Sequence, residues 1–240
     1  MNMNTREQDP FGQAILDFTK SKKPFDIIVK ADLCDDDIIP IETLFRSFDE
    51  MPKLEQKALQ LAKGKVLDVG CGAGSHSLTL QNERKLDVTS IDISPNAIEA
   101  CQLRGLKKAK VQDVMTVENE KFDTILLLMN GTGIFGTLKE TPLFLEKLKS
   151  LLNPSGQILI DSSDIIYMFD DDDDGGKWII GNGYYGELTF TVSYKSEIEE
   201  TFPWLYLDYN TLQNAAFANG LHCELVLEGG HYDYLAMLSF

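Results

Sequence analysis

Long apolar runs are missing from this 240-residue chain. No stretch approaches the roughly 18 apolar residues that a spanning helix needs, which argues against most membrane roles. The first residues, Met1 to Pro10, are polar and lack the charged-then-apolar pattern of a secretion signal, so export is not expected. Cysteine is sparse. Cys34, Cys71, Cys101 and Cys223 lie far apart with no CxxC pair. That excludes a disulfide framework and a zinc cluster, and predicts a reducing, cytoplasmic setting. Positive charge is in short supply: 22 Lys and Arg stand against 38 Asp and Glu, a net charge of −16. Such a surface repels phosphate backbones, which disfavours nucleic acid and anionic membranes as partners and mildly favours a cationic ligand. Tyrosine and tryptophan are absent before Tyr167. The last third of the chain is therefore packed differently from the middle.

What is present from Lys65 onward is an α/β pattern. Lys65–Val69 is a short apolar run ending in Gly70, and a helix follows from Ser75. Leu86–Ile91 ends at Asp92, and Ser94-Pro95 opens a helix with Ser as N-cap and Pro at the first helical position. Ala109–Val111 is a third strand, ending at Asp113. Phe122–Met129 reads as a strand covered on both faces. A helix from Leu143 to Leu152 is capped by Thr141-Pro142 and stopped by Asn153-Pro154-Ser155-Gly156, before a strand at Gln157–Ile160. Alternation of this kind indicates a doubly wound, mostly parallel sheet. A helix over Asn210–Asn219 and two runs, Leu221–Leu227 and Tyr232–Leu238, around Gly229-Gly230 predict a terminal hairpin whose last strand is antiparallel. The expected organisation is an N-terminal cap over 1–55, with short helices and a Pro-punctuated linker, and an α/β domain over 56–240. An insertion over 163–207 follows the fifth strand.

Three strand ends carry chemistry. Val66–Gly74 runs from a buried strand into Gly70, Gly72 and Gly74, a GxGxG spacing that lets backbone approach a ligand at a helix start. Asp92 ends the second strand, where a carboxylate can accept from a ribose diol. Asp113 ends the third, where one can accept from an exocyclic amine. All three lie on the C-terminal edge of one sheet, the edge at which open α/β sheets bind ligands. Asp68, inside the strand, reads as a buried carboxylate bonded to loop amides.

As an ordered set these residues resemble the class I S-adenosylmethionine-dependent methyltransferases, over roughly 65–162 and 208–240. Val66–Gly74 is similar to the family's first motif. Asp92 matches its ribose-binding acid, and Asp113 its adenine-proximal acid. Phe122–Met129 with Asn130-Gly131 looks like the fourth strand and its loop. The resemblance implies S-adenosyl-L-methionine as cofactor and in-line methyl transfer, with a small-molecule acceptor as the expected partner. The cofactor residues it implies are Gly70, Gly72, Gly74, Asp92 and Asp113, with Ile93, Val114, Asn130 and Arg46 beside them. Ile93 and Val114 read equally as adenine contacts or as core. Arg46, between Phe45 and Phe48, is free in this reading to meet a carboxylate, the donor's or another. No catalytic base is identified, and none is required unless the acceptor must lose a proton first.

Other features read as structural. His76 is an ordinary helix-start residue and His231 a surface turn. Asp170–Asp174 lacks the spaced ligands of a calcium loop, so no metal is expected. Trp178, Tyr184, Tyr185, Trp204 and Tyr206 line either an acceptor pocket or the insertion's own core. Two other readings share the loop: a nicotinamide-dependent oxidoreductase, against which the GxGxG spacing and terminal hairpin argue, and a non-catalytic donor-binding protein.

Overall fold

The computed structural model describes residues 8–31, 34–169, 183–195 and 198–240. The N-terminal region holds α1 (Pro10–Ser21), β1 (Ile27–Ala31), β2 (Cys34–Ile39) and α2 (Lys53–Leu61). The α/β alternation follows as β3 (Lys65–Val69), α3 (Ser75–Asn82), β4 (Asp87–Asp92), α4 (Pro95–Leu103), β5 (Ala109–Val111) and β6 (Phe122–Leu127). It continues with α5 (Thr141–Ser150) and β7 (Leu152–Ser163). Beyond it lie β8 (Glu187–Tyr194), β9 (Ile198–Leu205), α6 (Tyr209–Ala218), β10 (His222–Glu228) and β11 (Asp233–Ser239).

Local chemistry explains the boundaries. The Ser94 side chain accepts from the Ala97 amide and Pro95 occupies the first turn, so α4 starts where its cap dictates. Asp9 and Asp208 cap α1 and α6 in the same way. α5 begins at Thr141 itself, with Glu140 as its cap residue. The expected Asn153–Gly156 turn is absorbed into β7 as an irregularity: pairing with β6 jumps from Phe122 opposite Leu152 to Thr124 opposite Gln157.

The seven-stranded sheet has the order β10-β11-β7-β6-β3-β4-β5. The four strand pairs from β7 to β5 are parallel, while β11 pairs antiparallel with β7 and with β10. This is the doubly wound, mostly parallel sheet with an antiparallel terminal pair. Phe122, Ile125, Leu126, Leu127, Ile158 and Ile160 are fully buried along its centre. Covered on both faces, these strands have no polar side to show.

The alternation of Leu188, Phe190, Val192 and Tyr194 with polar residues predicts a half-buried strand, and β8 spans Glu187–Tyr194; β1, β2 and β9 are not in the sequence reading. β1 pairs with β2 on one side and β8 on the other, and β8 pairs with β9, giving a second, antiparallel sheet of order β2-β1-β8-β9. The N-terminal segment and the insertion thus share one sheet. Ile27 and Val29 of β1 and Val192 and Tyr194 of β8 pack on Ala14, Ile15 and Leu16 of α1, whose other neighbours are Ala73, Ala97 and Ala100. So α1 is the layer between the second sheet and the start of the parallel core. Asp9 fixes it there: its carboxylate accepts from Ser94 Oγ at 2.5 Å and Asn96 Nδ2 at 3.2 Å. Asp17, at the other end, accepts from the Tyr194 hydroxyl and from Lys195. Asp170–Asp174 and Trp178 lie outside the described residues. Among the described residues no helix is long and apolar enough to cross a membrane.

Candidate functional site

The C-terminal edge of the parallel sheet gathers the expected residues around Asp92. Gly70, Gly72 and Gly74 all have left-handed backbone, with φ of +68°, +51° and +78°. At Gly74 the need for glycine is packing: a Cβ would stand 2.7 Å from Leu106 Cδ1 and 2.9 Å from Cys101 Sγ. At Gly72 the protein leaves room, with Ile15 Cδ1 3.9 Å away. The Gly70 and Cys71 amides donate to the Ile91 carbonyl, tying the loop to the end of β4. The Gly72 amide donates to Asp92 Oδ2 at 2.9 Å, and the Ser94 amide to Asp92 Oδ1 at 2.9 Å. One carboxylate therefore sets the loops after β3 and β4.

Ile93, beside Asp92, is 44% exposed, an apolar side chain left at the edge. Val114 is buried in the main core instead. Asp113 is exposed and caps its own turn, accepting from the Met115 amide at 2.9 Å. Asn130 follows Met129 in a rare pair of left-handed residues, φ +60° and +67°, and its side chain accepts from Ser163 Oγ at 3.1 Å.

Arg46 meets a carboxylate within the chain. Its Nη2 donates to Glu55 Oε1 at 2.7 Å, and Glu55 Oε2 lies 2.7 Å from His76 Nε2. Glu55 and His76 are both buried. Burial pulls the His76 pKa down, but the Glu55 hydrogen bond and the fields of Asp68, Glu55 and Asp161 outweigh it and leave the ring above the usual histidine value. Asp68 bonds the first turn of α3 rather than the glycine loop: Ser77 Oγ donates to it at 2.6 Å. Glu55→Ala should cost about 2 kcal/mol by urea unfolding, because it strands the buried His76 ring and the half-buried Arg46 guanidinium at once. His76 titrates higher folded than unfolded. Its stabilising contribution is thus full below the unfolded value and is lost as pH rises through the raised one. Glu55→Ala should flatten that part of the stability profile.

Sequence reasoning missed Glu55, Asp161 and the role of His76. Asp161 is 8% exposed in β7 and accepts from the Met129 amide at 3.1 Å and the Gly131 amide at 3.0 Å. Burial, aided by Glu55, pushes its pKa up to about 6 against those two hydrogen bonds and the charge of His76. The signal was available, since Asp161 follows the apolar run Ile158–Ile160 much as Asp92 follows its own.

The second sheet approaches this edge from above. The Trp204 ring lies against Gly133, where a Cβ would come within 2.0 Å of it. Trp204 stacks on Phe190 with centroids 5.8 Å apart, and Phe202 meets both rings edge-on. Trp204 Nε1 is buried without a protein partner. Tyr184 and Tyr185 are tied to Asp208 and Asp164 by their hydroxyls.

Comparison with known proteins adds an independent line. A family model described as a methyltransferase domain matches residues 60–202. The crystal structure of a SAM-dependent methyltransferase from Bacteroides fragilis in complex with S-adenosyl-L-homocysteine superposes with a TM-score of 0.89 at 46% identity. That match covers 97% of this chain and 95% of the other. A tRNA U34 carboxymethyltransferase of Pseudoalteromonas translucida is 26% identical over 133 residues, 52% of this chain and 39% of that protein. A ubiquinone biosynthesis O-methyltransferase of Xanthomonas euvesicatoria is 26% identical over 110 residues, 42% of this chain and 44% of that protein. The chain thus spans about two fifths of the length of these curated relatives.

Proposed function

This chain belongs to the class I S-adenosylmethionine-dependent methyltransferases, and from that premise we propose that it transfers a methyl group to a small-molecule acceptor held between the parallel sheet and the second sheet. The observation that carries the donor half is the Asp92 clamp, which joins the loops after β3 and β4 at the strand edge, where a carboxylate suits a ribose diol. Gly70, Gly72 and Gly74 shape the backbone beside it, and Ile93 offers the adenine an apolar contact. Asp113 stands at the adenine end, while Val114 supports that wall from the core. The bound donor supplies an electrophilic methyl on a sulfonium. The chain's task is then alignment and exclusion of water.

Strand order supports a polarity for the site. Asp92 on β4 and Asp113 after β5 lie to one side of the glycine loop, so the adenosine end points that way. The methionine end then points toward β6 and β7, where Asn130, His76, Glu55 and Asp161 cluster. Arg46 acts there through Glu55. Aromatic residues of β8 and β9 cover the same side, which suits an acceptor pocket better than a nucleic-acid groove, as does the net charge of −16. The free thiols of Cys71, Cys101 and Cys223 fit the cytoplasmic setting we infer.

The test is a methyl-acceptor screen with labelled donor, run in parallel on metabolite pools and on unmodified tRNA. Label in a small-molecule fraction supports the reading. Label confined to tRNA would replace it with the activity named for one of the curated relatives.

A further inference from the structure

The two loops that Asp92 joins have a second neighbour in common, the helix α1. Ile15, in the middle of α1, lies 3.9 Å from where a Cβ on Gly72 would stand and packs in one cluster with Ala73. Asp9, at the start of α1, receives Ser94 Oγ at 2.5 Å and Asn96 Nδ2 at 3.2 Å on Oδ2, while its Oδ1 accepts from the Gly12 amide at 2.9 Å. Ser94 is also the residue whose amide donates to Asp92 Oδ1. Asp9 and Asp92 thus hold the same residue, one by its hydroxyl and the other by its amide. Gly12 marks the close approach: a Cβ there would collide with Ser94 Oγ and with the Asp9 carboxylate, so glycine is what lets the first turn of α1 lie on the loop after β4. Both ends of α1 are also tied to the second sheet. Gln8 Oε1 accepts from the Glu199 amide of β9 at 2.8 Å, and Asp17 from the Tyr194 hydroxyl of β8 at 3.0 Å.

We propose that Asp9 is a positioning residue for donor binding. By latching α1 onto Ser94 it fixes the spacing between the glycine loop and the loop after β4, and with it the pair of amides that orients Asp92. Asp9 acts through Ser94 and is not itself a donor contact. The proposal rests on the reading that Asp92 holds the donor. Two consequences follow from physical chemistry alone. Undocking α1 leaves the donor's loops free to part, so its cost falls mainly on the dissociation rate. Coupling is reciprocal, so a ligand that binds better to the docked form must favour the docked helix by the same factor.

The experiment measures S-adenosylhomocysteine affinity by calorimetry and its dissociation rate by stopped flow, on the full chain, in wild type, Asp9→Asn, Gly12→Ala and Lys20→Ala. Asparagine offers one oxygen in place of the two that the helix cap and the latch use. Gly12→Ala raises the helix propensity of α1 while forcing its first turn off Ser94, so weaker binding there cannot be charged to a weaker helix. Lys20→Ala breaks an exposed ion pair with Glu99 of α4 at the far end of the same contact, and should leave donor binding as it is. Asp9→Asn and Gly12→Ala should each bind roughly tenfold more weakly and release the ligand faster. In wild type the ligand should slow hydrogen exchange of the α1 amides. Should either variant fail to fold, the other and the exchange measurement decide. Wild-type affinity in both variants, an equal loss in Lys20→Ala, or α1 exchange that the ligand does not slow overturns the proposal and leaves the role of Asp92 standing. Undiminished binding by Asp92→Ala overturns the reading on which it rests.

Discussion

Asp92→Ala should weaken S-adenosylhomocysteine binding about a hundredfold while leaving the fold in place. Two charge-assisted hydrogen bonds to a ribose are worth roughly 1.5–3 kcal/mol each, and each 1.4 kcal/mol is a factor of ten. Part of that is offset by the water that solvates the carboxylate before binding. The structure adds a second source of loss. Asp92 also fixes the Gly72 and Ser94 amides, so its removal loosens both loops that would face the ligand. The Ser94 hydroxyl still caps α4, which is why the helix and the sheet should survive. Calorimetry gives the affinity and circular dichroism the fold. Equal affinities in the two proteins would remove Asp92 from the donor site.

Gly72→Val should bring donor binding below detection. The φ of +51° at Gly72 is left-handed, a region that costs an L-residue roughly 1–2 kcal/mol and a β-branched one more. A Cβ alone would only touch Ile15 at ordinary contact distance, but valine's two methyls must share space with Ile15 and with any ligand. The strain also pulls the Gly72 amide away from Asp92. Gly72→Ala separates the causes. It carries most of the backbone strain without the branched bulk, and should bind the donor measurably but weakly. Undiminished binding by Gly72→Val would reduce the loop to a plain turn.

Both predictions concern residues that the sequence displays openly, and the reason is locality. The glycine loop and Asp92 are each read from fewer than ten consecutive residues. The strands that carry them are apolar runs stopped by Gly or Asp. Lys65–Val69 and Ala109–Val111 have the expected bounds, and Ser94 caps its helix as its position before Pro95 requires. Legibility ends where pairing is distant. β1 finds its partner in β8, more than 150 residues later, and β2 carries Asp35, Asp36 and Asp37 in a row, which give no alternating pattern. The Arg46–Glu55–His76 chain joins three separate elements, so no window of sequence contains it. Glu55 is buried on a helix whose spacing marks it as one more polar position. Asp161 is a different case. The strand-end logic that picked out Asp92 applies to it equally, but Ser162 and Ser163 carry β7 onward and hide the acid inside the strand.

The nicotinamide alternative shares the glycine loop and an acid after the second strand, and it differs at the other end of the sheet. The antiparallel β11 beside β7, with β10 outside it, is the arrangement the terminal hairpin predicted. It matches the fold of the Bacteroides fragilis methyltransferase over nearly the whole chain.

The most direct measurement of the central claim is a crystal structure of this protein with S-adenosylhomocysteine. The account predicts one molecule across the C-terminal edge of the parallel sheet, with its ribose diol on Asp92, its adenine beside Ile93 and its amino-acid end toward Asn130 and Asp161. A ligand seated elsewhere, or one lying in the reverse direction with its ribose away from Asp92, would contradict it.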